Sequence, residues 1–257
     1  MPRAQKRKYT RPQMRVRADF AKRVTKMKIS ELRKELGLAI DGVVLPIPPE
    51  GDVERWNHCV AGETYMWRKP AEAALPELAG DDPFAGQVPV SKAVPFWGGI
   101  SEGGCGPIIF HSGKKCTIEE WVGAVNGGKL GALLRTLNPR IKERPWRVLC
   151  DGEKFLHSKE AQAAHSRHSV SLWKIPPRSP DLNPIEKFWA WLRKELRRRD
   201  LEDYKNKKPC LTKAQYTDRV KKVLGTRAAK KVASNIAVGF RNVCKEVVRK
   251  GGAAARS

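Results

Sequence analysis

The sequence predicts an α/β fold: a mixed sheet flanked by helices, with a basic helical C-terminal extension. Three observations carry this. Short apolar runs of strand length alternate with helical periodicity as far as residue 199. Ser101-Glu102-Gly103-Gly104 separates two such runs as a hairpin turn would. From residue 200 onward the strand pattern gives way to helical segments rich in lysine and arginine. The expected division is a basic arm over 1–28, the α/β domain over 29–199 and the basic helical extension over 200–257.

The elements follow in order. Fair helical periodicity runs from Arg15 to Leu36 through Phe20, Val24, Met27 and Leu32. Leu36 to Leu45 then reads as an apolar strand with Asp41 in its middle and Gly42 after it. A buried strand holds a charge only if that charge is paired or ligates something. The competing reading is an Asp-Gly type I′ turn between two short strands. Residues 46–62 read as a loop or insertion, Thr64 to Trp67 as a strand and 70–90 as a loop. Ala93 to Ile100 and Pro107 to Phe110 form the hairpin. Thr117-Ile118-Glu119-Glu120 is a capping box opening a helix to about Leu137, weakened at Asn126-Gly127-Gly128 and stopped by Asn138-Pro139. Arg147 to Cys150 is a strand ending in Asp151. Ser158 to His168 is a helix, and His165 and His168 are read as surface residues.

Val170, Leu172, Trp173 and Ile175 mark the next strand, followed by the turn Pro176 to Asp181. Asn183-Pro184-Ile185-Glu186 opens a helix with Asn183 as N-cap and Pro184 at the first helical position. Glu186, three residues after Asn183, could complete a capping box or act as a functional carboxylate. Trp146, Trp173, Trp189 and Trp191 are read as core. Asp200 to Pro209 reads as a linker, and Lys213–Val223 and Ala228–Lys250 as basic helices, either packed on the core or clamping a phosphate backbone.

Composition narrows the function. The 257 residues hold 51 lysines and arginines against 27 acids, a net charge of +24. That balance favours a polyanionic partner, nucleic acid first. No apolar run approaches the ~20 residues that span a bilayer, so no membrane is expected. The first 28 residues are basic and lack the apolar segment of a secretory leader. Lys6-Arg7-Lys8 reads as a nuclear-import or phosphate-contacting cluster or as a solvated tail. The six cysteines form no C-x-x-C pair, which argues against a zinc ribbon or disulfide framework and for reduced thiols.

From Asp151, 34 residues lead to Glu186 within S-P-D-L-N-P-x-E-x-x-W. This spacing and signature resemble the catalytic domain of mariner-superfamily transposases of the DDE type. Gly62 to Pro70 (GETYMWRKP) resembles the family's G-x-x-Y-x-W-R-K-P. Trp97-Gly98-Gly99-Ile100-Ser101 with Gly106-Pro107 is similar to its W-G-x-x-S…G-P hairpin. The resemblance covers roughly residues 11–200. It implies a ribonuclease-H-like core, two Mg²⁺ or Mn²⁺ ions held by Asp41, Asp151 and Glu186, and metal-dependent cleavage and strand transfer of double-stranded DNA. It implies a nuclear or DNA-associated setting and admits a homodimer on DNA. Asp52 is the alternative first acid, nearer the family's usual offset but approached through a proline-rich loop. Lys6, Arg7, Lys8, Arg178, Arg193, Arg197 and Arg198 are the expected DNA contacts, and His157 matches a histidine-containing stretch of the family. Asp181 is read as fixing the turn. Gly42 and Gly152 depart from the family pattern, and only about 40 residues precede Asp41, too few for the family's paired helix-turn-helix modules. The rival readings are a decayed, DNA-binding derivative, a nuclease of the same fold acting on another nucleic acid, and a basic scaffold.

Overall fold

The computed structural model describes residues 9–48, 90–113 and 115–255. Lys6, Arg7, Lys8, Asp52, Cys59, the Gly62–Pro70 motif and the elements expected between residues 49 and 89 lie outside them.

Helix α1 (Arg11–Lys26) starts at a capping box in which Thr10 accepts from the Gln13 N–H and Gln13 accepts from the Thr10 N–H. The periodicity expected to run to Leu36 breaks at Met27 and Lys28, both extended, before α2 (Ile29–Glu35). Although α1 falls within the expected arm, its Phe20, Ala21 and Val24 enter the core.

Strand β1 (Leu38–Pro46) runs straight through Asp41-Gly42, so these residues form no hairpin turn. It pairs antiparallel with β2 (Ala93–Ser101), which pairs antiparallel with β3 (Gly104–Phe110). On its other edge β1 runs parallel to β4 (Trp146–Cys150), and β4 parallel to β5 (Val170–Lys174), giving the order β3-β2-β1-β4-β5. The β2–β3 register slips next to Gly98, where Pro107 is accommodated at the irregularity.

Side-chain alternation divides the core between the two faces of the sheet. Leu38, Ile40, Trp97, Val148 and Cys150 pack on α3 (Ile118–Asn126), α4 (Lys129–Leu137) and α5 (Lys159–Arg167). The single helix expected to reach Leu137 is two, because Gly128 takes a left-handed conformation (φ 76°). His165, expected at the surface, is buried and accepts from the Trp121 indole N–H at 3.0 Å.

Ala39, Val43, Leu45, Val94, Phe96, Ile100 and Leu149 face the other side, against α1, α6 (Pro184–Lys205), α7 (Lys213–Gly225) and α8 (Arg227–Arg249). Gly98 is what lets α6 approach: a Cβ there would stand 2.9 Å from the Trp189 ring. The linker expected over Asp200 to Pro209 is helical in its first part, where α6 continues to Lys205, and irregular only from Asn206. Asp200 is buried, accepting from Arg219 at 2.6 Å and from the Tyr216 hydroxyl at 3.0 Å, while Arg219 also pairs with Asp203. These contacts join α6 to α7 across the expected domain boundary. α8 packs on α1, α6 and β3, so the C-terminal helices complete the core.

Candidate active site

β1 and β4 are paired only at Leu38–Val148 and Ala39–Leu149. Continued by two residues, that register sets Asp41 opposite Asp151, on strands spaced about 4.8 Å apart where paired. Both share the sequence parity of Ala39 and Leu149, so both belong to the α6 face. An open cleft of about 980 Å³ lies there, lined by Asp41, Asp151 and Glu186 together. Two of the acids come from the strands and the third from the first turn of α6. The site lies beyond the carboxyl ends of the parallel strands, a usual ligand position in α/β sheets.

Each carboxylate is held differently. Asp41 Oδ1 accepts from the Gly42 N–H at 2.7 Å, and Oδ2 accepts from Asn183 Nδ2 at 3.0 Å. Burial first, then the charges of Asp151 and Glu186, push the Asp41 carboxyl up to about 8. Asp151 Oδ1 accepts from the Glu153 N–H at 3.2 Å, and the His157 ring nitrogen lies 3.2 Å from the Asp151 carbonyl, bracing the loop after β4. Gly42 is required by its surroundings: a Cβ would stand 2.9 Å from the Trp97 indole, which forms a cleft wall with Phe155 at 5.1 Å.

The donor set is three carboxylates, the hard oxygen ligands that suit Mg²⁺ or Mn²⁺. The elevation of Asp41 comes first from burial and then from the neighbouring charges of Asp151 and Glu186, and a bound cation would oppose both. Among the described residues no three His, Cys, Asp or Glu side chains, the three cleft acids included, stand close enough together to hold one metal ion. An open site of this kind suits Mg²⁺, which keeps several waters and takes ligands from phosphate. It is the chemistry of these donors, three carboxylates lining one cleft, that suits such ions.

The expected DNA contacts divide. Arg178, exposed with φ 57°, lines the cleft. Arg193 and Arg197 line a separate small cavity along α6 beside Leu45 and Pro46, and Arg198 pairs with Glu195 and Glu202 on its own helix. Lys115 and Lys154 line the cleft and are exposed. Nothing in their local sequence sets them apart from the other lysines of this basic chain. Asn183 occupies the N-cap position as expected but makes no side-chain cap bond. Asp181 fixes the turn as read: it accepts two hydrogen bonds from Arg17. Trp146 and Trp189 are buried, and Trp173 and Trp191 pack half-buried against the same core. Among the described residues Cys105, Cys116, Cys150, Cys210 and Cys244 form no disulfide, and no helix is long and apolar enough to cross a membrane.

A family model for DDE superfamily endonucleases matches residues 111–208, spanning Asp151 and Glu186. No curated protein sequence matches the chain. Among solved structures, the chain is similar to the catalytic domain of Mos1 mariner transposase, with TM-score 0.60 and 9% identity over 98% of this chain and 100% of that one. The same catalytic domain with Raltegravir and Mn gives 0.58 and 9%, over 95% and 97%. A pre-cleavage Mos1 transpososome gives 0.62 and 11%, over 98% and 66%. At these identities the likeness establishes the ribonuclease-H-like fold.

Proposed function

We propose that the protein cleaves and joins DNA strands as transposases do: residues 111–208 match a family model for DDE superfamily endonucleases, and the chain shares the fold of a mariner transposase catalytic domain. The observation that supports this most is the lining of one cleft by Asp41, Asp151 and Glu186, which are remote in sequence and come from three elements. A first acid far from Asp151 would have favoured the decayed-binder reading; Asp41 instead lines the same cleft as Asp151.

Asp41, Asp151 and Glu186 would hold two Mg²⁺ or Mn²⁺ ions. Such ions would supply charge neutralisation and Lewis-acid activation for in-line displacement at a phosphodiester. The chain's own residues do the rest. Gly42 and Asn183 orient the Asp41 carboxylate, and the Glu153 N–H orients that of Asp151. Lys115, Lys154 and Arg178 set the phosphate backbone along the cleft. In the reaction, an oxygen of water or of a DNA 3′-hydroxyl bonds to phosphorus as the bond to the departing oxygen breaks, with no covalent protein intermediate.

The substrate is double-stranded DNA, and the enzyme acts as a homodimer on it, as the paired-end and transpososome assemblies of the structural neighbours suggest. Nuclear residence is part of the same proposal, tested by localising a fluorescent fusion with and without Lys6-Arg7-Lys8. The decisive experiment is plasmid nicking in Mg²⁺ or Mn²⁺ by wild type, Asp151→Ala and Glu186→Ala. Both variants should be inactive; equal nicking by all three would sink the catalytic assignment.

A further inference from the structure

We propose that Asn183 is a positioning residue that ties the Asp41 carboxylate to the helix carrying Glu186, so that two metal-binding acids from distant parts of the chain are held as one unit. The proposal rests on the metal-site reading above.

Asn183 does not cap its own helix. Asparagine is among the preferred N-cap residues because its side-chain oxygen accepts a backbone N–H of the first turn. Asn183 occupies that position on α6 in an extended conformation, yet no such bond forms. Its side chain reaches across to β1 instead, where Nδ2 donates to Asp41 Oδ2 at 3.0 Å, over 142 positions of sequence. The residue is 2% exposed, and its Oδ1 is buried without a protein partner. A buried polar atom left unmatched is costly. The side chain therefore forgoes its local bond and leaves one acceptor unmatched while keeping the bond to Asp41.

The amide is well placed for this role. Its backbone is fixed on both sides, the Asn183 N–H donating to the Pro180 carbonyl at 3.0 Å and the Asn183 carbonyl accepting from the Glu186 N–H at 3.2 Å. Any shift of Asn183 is thus shared by Glu186. A carboxylate that ligates a cation is ionised and only accepts, so the amide NH₂ is the group suited to face it. With Gly42 on Oδ1 and Asn183 on Oδ2, each oxygen of Asp41 carries one protein donor and keeps its remaining lone pair for a cation. The bond selects one carboxylate orientation before any ion arrives.

The test uses Asn183→Ser and Asn183→Gly. Both residues are accepted at an N-cap, and neither reaches Asp41. Mn²⁺ binding is followed without DNA, by the ion-dependent rise in melting temperature and by quenching of tryptophan fluorescence. The melting temperature of the ion-free protein and nicking of plasmid are measured in parallel. Removing a residue that orients a metal ligand typically weakens metal binding 10- to 100-fold. A rise of the Mn²⁺ half-saturation of about tenfold or more, with the ion-free melting temperature kept and nicking recovered at high Mn²⁺, supports the tether. Half-saturation equal to wild type in either folded variant overturns it. Loss of folding in both also overturns it, because an N-cap serine or glycine should sustain the helix. No Mn²⁺ response in the wild type, or an undiminished one in Asp41→Ala, overturns the metal-site reading and the tether with it. A normal wild-type response beside unaffected variants removes the tether alone.

Discussion

Removal of the Arg17 side chain should be strongly destabilising. Its side chain is fully buried and donates to Asp181 through both terminal nitrogens, at 2.9 and 2.6 Å. Nε donates to the Gly252 carbonyl at 2.8 Å, and the Tyr9 ring covers the guanidinium at 4.1 Å. In Arg17→Ala, Asp181 keeps only the Ala255 N–H at 3.0 Å, and the Gly252 carbonyl loses the Arg17 donor. Breaking one partner of a buried pair costs about 3–5 kcal/mol. The Asp181 side chain retains 17% exposure, so the lower end applies, about 3 kcal/mol. For a chain of this size that corresponds to a fall in melting temperature of roughly 6–12 °C. The assay is thermal unfolding followed by circular dichroism, with Arg33→Ala as control. Arg33 pairs with Glu102, but both side chains are about half exposed, and such pairs contribute at most about 1 kcal/mol. Arg17→Met combined with Asp181→Leu should recover much of the loss, since apolar replacement of both partners avoids the stranded charge. A fall for Arg17→Ala no larger than that of Arg33→Ala would refute the reasoning.

Three further outcomes are expected. Burial, with His157 as a lesser cause, holds His165 down to about 4 from 6.5; the unfolded chain therefore binds the proton more readily, and stability is full above pH 6.5 and falls by about 3 kcal/mol as pH drops towards 4. Denaturant titrations across that window should show the slope in wild type and a flatter one in His165→Gln. Gly98→Ala places a methyl 2.9 Å from the Trp189 ring, and overpacking of this kind should cost about 1–3 kcal/mol in chemical denaturation. Arg178→Ala and Lys154→Ala should each weaken DNA binding regardless of sequence and lower the salt-dependence slope by about 1, read from binding isotherms between low and moderate salt.

Much of the site could be read from local signals. The alternation around Asp41 gave a strand, because Leu38, Ile40, Val43 and Leu45 are apolar on both faces of a doubly covered element. The spacing of Asp151 and Glu186, with the proline-rich turn between them, placed two acids on neighbouring elements. What local pattern could not give depends on partners distant in sequence. Asp200 looked like the start of a linker because its burial depends on Arg219 and Tyr216. His165 looked solvent-exposed because its partner Trp121 sits on another helix. Asn183 was correctly identified as an N-cap by position, but its bond to Asp41 crosses the molecule. Lys115 and Lys154 gain meaning only from the cleft they border.

The parity of β1 has a consequence for how such a chain can diverge. Asp41 reaches the cleft because it stands an even number of steps from Ala39 and Val43. One codon gained or lost between Ala39 and Asp41 would rotate the acid to the side of Leu38 and Ile40, away from Asn183, whatever else were preserved. Apolar substitutions along this strand that keep its phase leave the acid aimed at the cleft, whereas a single frame-preserving indel there would turn it away.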